Sequence, residues 1–298
     1  MIAHARSLLT VGLLVAGLVL AAAVLRAGDA RDESQPAAER VLYLRSGEVA
    51  RRLWLSFDAV AADVYWIRTI QHYGGDRKSA RTTGRFELLQ PLLDLTTTLD
   101  PHFNIVYRFG AIFLATDPPN GPGQPDQAIS LLEKGLARNP DRWQYGLDIG
   151  FVQYLQRRDF EAAAHAFERA AAMSKAPAWL RPLAAVTLAQ GGDREGARVL
   201  FGQLAGSEEG WVREAAARGL AQMDALDRID DVQSRVDRFY ALTHAYPTRW
   251  SDLVQVGLLA QIPVDPANVP LDFDPVTKRV TLRPSSPLGP LPVLRARK

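Results

Sequence analysis

Apolar residues recur three and four positions apart along most of this chain, the spacing that places side chains on one face of an α-helix. The pattern predicts helices over residues 53–73, 86–99, 103–115, 127–139, 211–223, 226–245 and 250–259. In the first of these, Gly74-Gly75 should end the helix, and the predicted packing face consists of Leu53, Trp54, Phe57, Val60, Ala61, Val64, Ile67 and Ile70. Prolines 263, 266, 270 and 275 exclude a helix in the last part of the chain, because proline lacks the amide donor. The alternating segments 269–274 and 279–283 predict one β-hairpin there.

The central part of the chain repeats itself at a fixed period. Five positions recur 34 residues later, with Asp159, Phe160, Ala163, Phe167 and Ala170 matched by Asp193, Arg194, Ala197, Phe201 and Leu204. This period resembles the tetratricopeptide (TPR) repeat, a pair of antiparallel helices that buries its apolar face only by stacking on its neighbours. The small side chains would allow a close helix crossing, the phenylalanines would fill the gap between helices, and the two aspartates would cap each second helix.

The resemblance implies an all-α, TPR-like right-handed helical solenoid with about three helix pairs. TPR arrays hold an extended peptide or a partner helix in a concave groove lined by the first helix of each pair. Carried over by position, the candidate groove residues are Arg108, Ile112, Tyr145, Asp148, Val152, Gln156 and Trp179, with Ile105, Val186 and Gln190 at further groove positions. We expect Tyr145→Ala or Arg108→Ala to weaken partner binding and to leave the melting curve nearly unchanged.

Residues 8–25 form an apolar segment without any charge, just long enough to cross a bilayer as a helix. A retained anchor and a cleaved export signal both fit it, and the length of the apolar run favours the anchor. Arginines 26, 31, 40 and 45 follow the segment and oppose an exported C-terminal domain. The short N-terminal tail is typical of export signals. We therefore expect a single-pass inner-membrane protein whose remaining chain lies outside the cytoplasm.

The composition shifts along the chain predict six regions. They are a membrane anchor or signal (1–27), a linker (28–40), a divergent helical pair (41–100), TPR-like repeats (101–205), C-terminal capping helices (206–262) and a Pro-rich β-hairpin with a tail (263–298). The insertion 116–125 is rich in Pro and Gly and should be a loop, and it lacks the ligand spacing of a calcium-binding EF-hand.

No pattern in the sequence points to chemistry. The formal net charge of +2 does not favour nucleic acid as a partner, and the absence of cysteine excludes thiolate metal sites and cysteine nucleophiles. The five histidines are isolated, and no nucleotide-binding, hydrolase or zinc motif occurs. We therefore expect no cofactor and no metal, and regard an enzyme as the alternative that would need a site assembled from distant residues.

The chain from Tyr246 to Leu282 resembles the C-terminal end of type II secretion pseudopilins, where a helix, a Pro-rich turn and a short hairpin follow one another. The N-terminal prepilin pattern of that family is missing. The sequence therefore predicts a non-enzymatic, membrane-anchored TPR scaffold that binds a protein or peptide at the cell envelope. A component of a type IV pilus or type II secretion-like assembly is the alternative.

Overall fold

The computed structural model describes residues 57–80 and 83–292, together with Gly17, Val19 and Ala23. This part of the chain is mostly helical, and the expected all-α class is confirmed. Its helices are α1 (Asp58–Lys78), α2 (Leu89–Leu99), α3 (Asn104–Ala115), α4 (Pro125–Arg138), α5 (Trp143–Val152), α6 (Phe160–Ala171), α7 (Leu180–Gly191), α8 (Arg194–Leu204), α9 (Gly210–Thr243) and α10 (Trp250–Gln255). The chain divides into two compact units, unit 1 up to Pro122 and unit 2 from Gly123.

The predicted membrane segment, residues 8–25, lies outside the described residues except for Gly17, Val19 and Ala23, which are helical and exposed. Among the helices that the structure describes, none combines the length and the apolar character needed to cross a membrane.

Unit 1 is built on the packing of α1 against α2. Two small residues, Ala61 and Ala62, and the ring of Tyr65 meet the leucines of α2, and all of these side chains are buried. Of the predicted packing face, Ala61 is buried as expected, whereas Val60, Val64, Ile67 and Ile70 are exposed and that part of the prediction is wrong. Apolar residues recur at helical spacing on both faces of α1. Helix α2 packs on the face that carries the alanines, because small side chains allow the two helices to approach more closely.

Helix α1 also continues through Gly74-Gly75, where the sequence predicted its end. A glycine in a helix costs about 1 kcal/mol relative to alanine, so other contacts must hold the last turn. The ring of Tyr73 stacks on Phe113 at a centroid distance of 4.2 Å. The Asp76 carboxylate accepts a hydrogen bond from the Phe86 amide at 2.6 Å, and the Asp76 carbonyl accepts one from Arg85 at 2.9 Å.

In unit 2, helices α4 to α9 pack in chain order, each against the next, around one apolar core. The predicted caps are confirmed. Asp159 accepts a hydrogen bond from the Ala162 amide at 2.9 Å at the start of α6, and Asp193 accepts one from the Gly196 amide at 2.8 Å at the start of α8. The two second helices of the 34-residue repeat thus begin in the same way.

The two phenylalanines of the repeat occupy equivalent positions in the core. Phe167 and Phe201 are each 1% exposed, and each ring lies against a glycine backbone. A Cβ atom at Gly150 would lie 2.2 Å from the Phe167 ring, and one at Gly219 would lie 2.4 Å from the Phe201 ring. Glycine is needed at both positions because the ring occupies the space of a side chain.

The sequence predicted two helices over 211–223 and 226–245, whereas the structure has the single helix α9 of 34 residues. No glycine or proline follows Gly219 until Pro247, so nothing interrupts the backbone hydrogen bonding. The first half of α9 packs on the core of the repeats, and the second half supports a separate C-terminal core.

The predicted hairpin is confirmed at the expected place, although it is shorter. Strands β1 (Asp272–Asp274) and β2 (Arg279–Thr281) pair antiparallel, with Phe273 opposite Val280. The side chain of Gln233 on α9 accepts a hydrogen bond from the Val280 amide at 2.8 Å and donates one to the Lys278 carbonyl at 3.2 Å. These bonds fix the hairpin on the second half of α9.

An ionic network on the surface of unit 2 joins α8 to α9. The guanidinium of Arg194 lies 2.9 Å from Asp227 and 2.7 Å from Asp230, and Arg198 pairs with Asp227 and Asp224. Partial desolvation opposes ionisation of Asp227, but the hydrogen bonds and charges of the two arginines outweigh it and hold the pKa of this carboxyl below its usual value. The ionised carboxylate is therefore stabilised more in the folded than in the unfolded chain.

We expect this network to make folding depend on pH in the acidic range. Because the folded-state pKa of Asp227 is lowered, its contribution is complete above its unfolded pKa of about 3.9 and is lost as the pH falls through the folded pKa. In Asp227→Asn, the free energy of unfolding should fall less steeply below about pH 4 than in the wild type. Urea melts at several pH values would measure this, with Asp63→Asn in α1 as the matched loss of an exposed carboxylate. Equal slopes in wild type and Asp227→Asn would contradict the expectation.

Candidate functional site

In the described part of unit 1, exposed large apolar side chains lie on α1 and α3 and, outside these helices, at Val19 and Phe57. Val60, Val64, Ile67 and Ile70 lie on α1, and Ile105, Phe109 and Ile112 lie on α3, each between 38% and 57% exposed. Among the described residues of α2, no large apolar side chain is exposed. Seven such side chains on two helices exceed the scattered apolar residues of an ordinary surface, and larger apolar patches mark interaction sites.

Aromatic contacts hold α1 and α3 side by side. The ring of Trp66 stacks on that of Phe113 with centroids 6.0 Å apart, and Trp66 also meets the edge of Phe103 at 6.4 Å. Phe113 in turn lies 6.4 Å from the exposed Phe109. The apolar residues of the two helices therefore belong to one rigidly packed unit.

Two of the predicted groove residues lie in unit 1, on α3. Arg108 is exposed, and Ile112 is 57% exposed. Both positions are accessible to a partner, and Ile112 lies one turn after Phe109 at the helical spacing that shares a face.

Two of the predicted groove residues of unit 2, in contrast, are buried. Tyr145 is 1% exposed and Val152 is 6% exposed. The reason is the position of α5, which packs against α4 on one side and α6 on the other and buries most of its residues. The expectation that Tyr145 contributes binding surface and no packing is corrected here, because its ring is part of the core.

The remaining predicted positions of unit 2 are accessible to different degrees. Asp148 and Gln156 are half-buried, and Trp179 is 43% exposed at the start of α7. The indole of Trp179 meets Trp143 edge to face at 6.2 Å. Gln190 accepts a hydrogen bond from the Tyr154 hydroxyl at 2.8 Å, which links the first helices of two successive pairs.

An open cavity of about 610 Å³ lies beside α7 in unit 2. Two predicted groove positions, Val186 and Gln190, line it from α7, and Trp211 and Arg218 line it from the first half of α9. Pro290 to Pro292 of the chain's own C-terminal tail form its remaining edge. Two of the predicted groove positions therefore line an open cleft of unit 2.

The described residues hold no grouping of three or more His, Asp or Glu side chains that could bind a metal ion. His165 is exposed on α6 and lies 3.3 Å from Glu168, one helical turn away. His72 lies 3.5 Å from Asp76 on the same helix. Both pairs are neighbours along one helix surface, at the spacing of ordinary side-chain pairs.

No family model, curated protein or solved structure matches this chain. The resemblance to TPR repeats therefore depends on the 34-residue recurrence and on the packing of the residues that carry it.

The sequence reasoning missed the exposed residues of α1, Phe109 on α3, and the tail residues at the cleft. The apolar periodicity of α1 was visible, but the buried face was assigned to the larger side chains. Phe109 follows Ile105 by four residues, which was the available signal for a continuous exposed stripe. No sequence signal marked the tail, because its contacts join residues more than 65 positions apart.

Proposed function

We propose that this protein is a non-enzymatic, membrane-anchored scaffold with a TPR-like right-handed solenoid. It binds a protein or peptide partner at the cell envelope through the first helices of its helix pairs. The partner surface is apolar, and the proposal assigns no catalytic residue and no cofactor.

The distribution of exposed apolar side chains carries this proposal. Among helices α1 to α3 of unit 1, they lie on α1 and α3, the first helices in the repeat assignment. In unit 2, Phe151 on α5 and Trp179 before α7 are exposed, and Val199 is exposed on the second helix α8. Trp211, Tyr240 and Leu242 are exposed on α9, outside the repeated pairs. A TPR array presents its first helices to a partner, so within each unit taken by itself the exposed first helices fit the binding of an apolar peptide or helix face.

The internal repeat supports the solenoid part of the proposal. Ala163 and Ala197 are fully buried, and each lies four residues before a buried phenylalanine of the repeat. Together with the two equivalent aspartate caps, this gives α5–α6 and α7–α8 the same local chemistry. Stacked units with equal interfaces are the basis of a solenoid.

The apolar segment 8–25 supports the membrane part. We propose a retained single-pass anchor that places both units outside the cytoplasm, at the inner membrane. Export and anchoring of the chain would keep the exposed apolar positions of α1 and α3 near other envelope proteins.

A component of a pilus or type II secretion-like assembly is the second candidate. Helix α10, a Pro-rich turn and the β1–β2 hairpin follow one another in the order that the pseudopilin resemblance implies. This order is the observation that favours it, and such an assembly would itself be a protein partner at the envelope.

The proposal predicts that Ile112→Asp disrupts a complex without unfolding the protein. Ile112 is 57% exposed, so the substitution should change the free energy of unfolding by about 0.5 kcal/mol. Membrane extracts would be separated by native electrophoresis, and the complex should shift to the mass of the scaffold alone. Val199→Asp is the matched control, because Val199 is also 57% exposed but lies on a second helix. The proposal fails if no complex is present, or if both variants affect it equally.

A further inference from the structure

The C-terminal tail, defined here as residues 284–292, returns to unit 2 and lies along the first half of α9. Leu288 is 7% exposed, and Leu291 packs against the core of the repeats. The hydroxyl of Ser286 donates a hydrogen bond to the buried carboxylate of Asp265, which fixes the beginning of this segment. The tail is thus a segment of turns and bends that occupies one edge of the cleft beside α7.

Side chains of α9 bind the main chain of the tail. The Gln222 amide nitrogen donates to the Leu288 carbonyl at 2.7 Å and to the Pro290 carbonyl at 3.0 Å. Arg218 donates to the Gly289 carbonyl between them. Gln222 is 8% exposed, and a buried amide that loses its acceptors is costly, so the cleft requires a peptide carbonyl at this place.

These contacts can be supplied by another peptide. Main-chain carbonyls are common to every extended segment, and the apolar side chains on either side provide the selection. In the tail, Leu288 and Leu291 are that pair, with Gly289 and Pro290 between them. Any partner segment with two apolar residues at this spacing and the same turn conformation offers the same groups.

The tail leaves part of the cleft open. The cavity of about 610 Å³ lies directly beside Pro290, and Trp211 at its wall is 48% exposed. Val186 and Gln190, which the repeat places at groove positions, line the same space. An incoming peptide can therefore contact the cleft before the tail has left it.

We propose that this cleft binds a leucine- and proline-containing turn segment of a partner protein, and that the tail is an internal ligand which the partner segment displaces. The inference rests on the proposed scaffold function and names the chemistry of its peptide partner. The tail would then keep Gln222 satisfied and the apolar cleft partly covered in the absence of a partner.

A synthetic peptide with the sequence of residues 284–292 tests this in the purified full-length chain. We expect it to bind Leu288→Ser/Leu291→Ser, in which the tail loses its apolar contacts, at least about tenfold more tightly than the wild type, a difference of about 1.4 kcal/mol. Adding Gln222→Met to this double variant should remove the binding of the peptide, because methionine keeps the length of the glutamine side chain but has no hydrogen-bond donor. Gln90→Met, added to the same double variant, is the matched control, because Gln90 is an exposed glutamine on α2 outside the cleft. Fluorescence anisotropy of the labelled peptide measures all four proteins.

Equal binding to wild type and double variant would overturn the proposal, because the peptide would occupy another place. Absence of binding to a folded double variant would also overturn it, and the tail would be a fixed part of the core. If the double variant does not fold, hydrogen exchange in the wild type decides. Excess peptide should speed exchange of the Leu288 amide, and unchanged exchange would contradict displacement. None of these readouts requires the native partner, so they can fail while the Ile112→Asp result stands.

Discussion

Phe167→Ala or Phe201→Ala should each lower the free energy of unfolding by about 3–5 kcal/mol. Both rings are 1% exposed and fill the space between helices, and each lies against a glycine that has no side chain to move into the gap. The lower free energy of unfolding has two causes, the lost burial of the aromatic ring and the cavity that the ring leaves behind. Urea denaturation followed by circular dichroism measures it.

Val199→Ala is the control for this pair, because the residue lies on α8 close to Phe201 in sequence and is 57% exposed. We expect a change within about 0.5 kcal/mol for an exposed site of this kind. Hydrogen exchange should further show that each phenylalanine loss opens mainly the neighbouring helices, since the helices of unit 2 pack mainly on their neighbours in the chain. Phenylalanine variants as stable as Val199→Ala would contradict the equivalent packing of the two repeat units.

Tyr145→Ala should also destabilise the protein strongly, by about 3–5 kcal/mol, as expected for a fully buried aromatic side chain. This reverses the expectation from the repeat pattern alone, which placed Tyr145 on the groove surface. The comparison with Arg108→Ala, an exposed position on α3, separates packing from binding. Thermal melts should shift to lower temperature for Tyr145→Ala and stay close to the wild type for Arg108→Ala.

A Tyr145→Ala protein that melts like the wild type would mean that α5 turns its tyrosine away from the core. In that case Tyr145 would not be buried between α4 and α6. The position would then return to the list of candidate groove residues.

Local signals in the sequence were sufficient for several features of the fold. The aspartates at 159 and 193 act on amides three residues away, so their role depends only on nearby backbone. The hairpin follows from alternation and from the turn at residues 275–278. The Pro- and Gly-rich insertion at 116–124 is a loop, since Pro125 begins the next helix.

Features that depend on distant contacts were not predictable in this way. The course of α1 through Gly74-Gly75 depends on Tyr73 meeting Phe86 and Phe113, which are separated from it by loops and another helix. The choice between the two apolar faces of α1 depends on what α2 presents.

The residues of the candidate site also divide into those indicated by local sequence signals and those that depend on distant contacts. Ile112 and Trp179 are exposed, and their part in binding a partner stays a prediction. Tyr145 and Val152 are buried, which the sequence did not indicate, because the burial of α5 depends on helices packed on both of its sides. Gln222 and Arg218 could not be found at all, since their partners are carbonyl groups of the tail, which no side-chain pattern marks.

Site-specific photo-cross-linking in growing cells tests the scaffold function most directly. A photoreactive amino acid at Ile112 or Trp179, on first helices, should produce one discrete cross-linked protein band from the membrane fraction. The same probe at Val199, equally exposed on a second helix, should produce none. Cross-links of equal yield at all three positions, or none at Ile112 and Trp179, would contradict a partner-binding surface formed by the first helices.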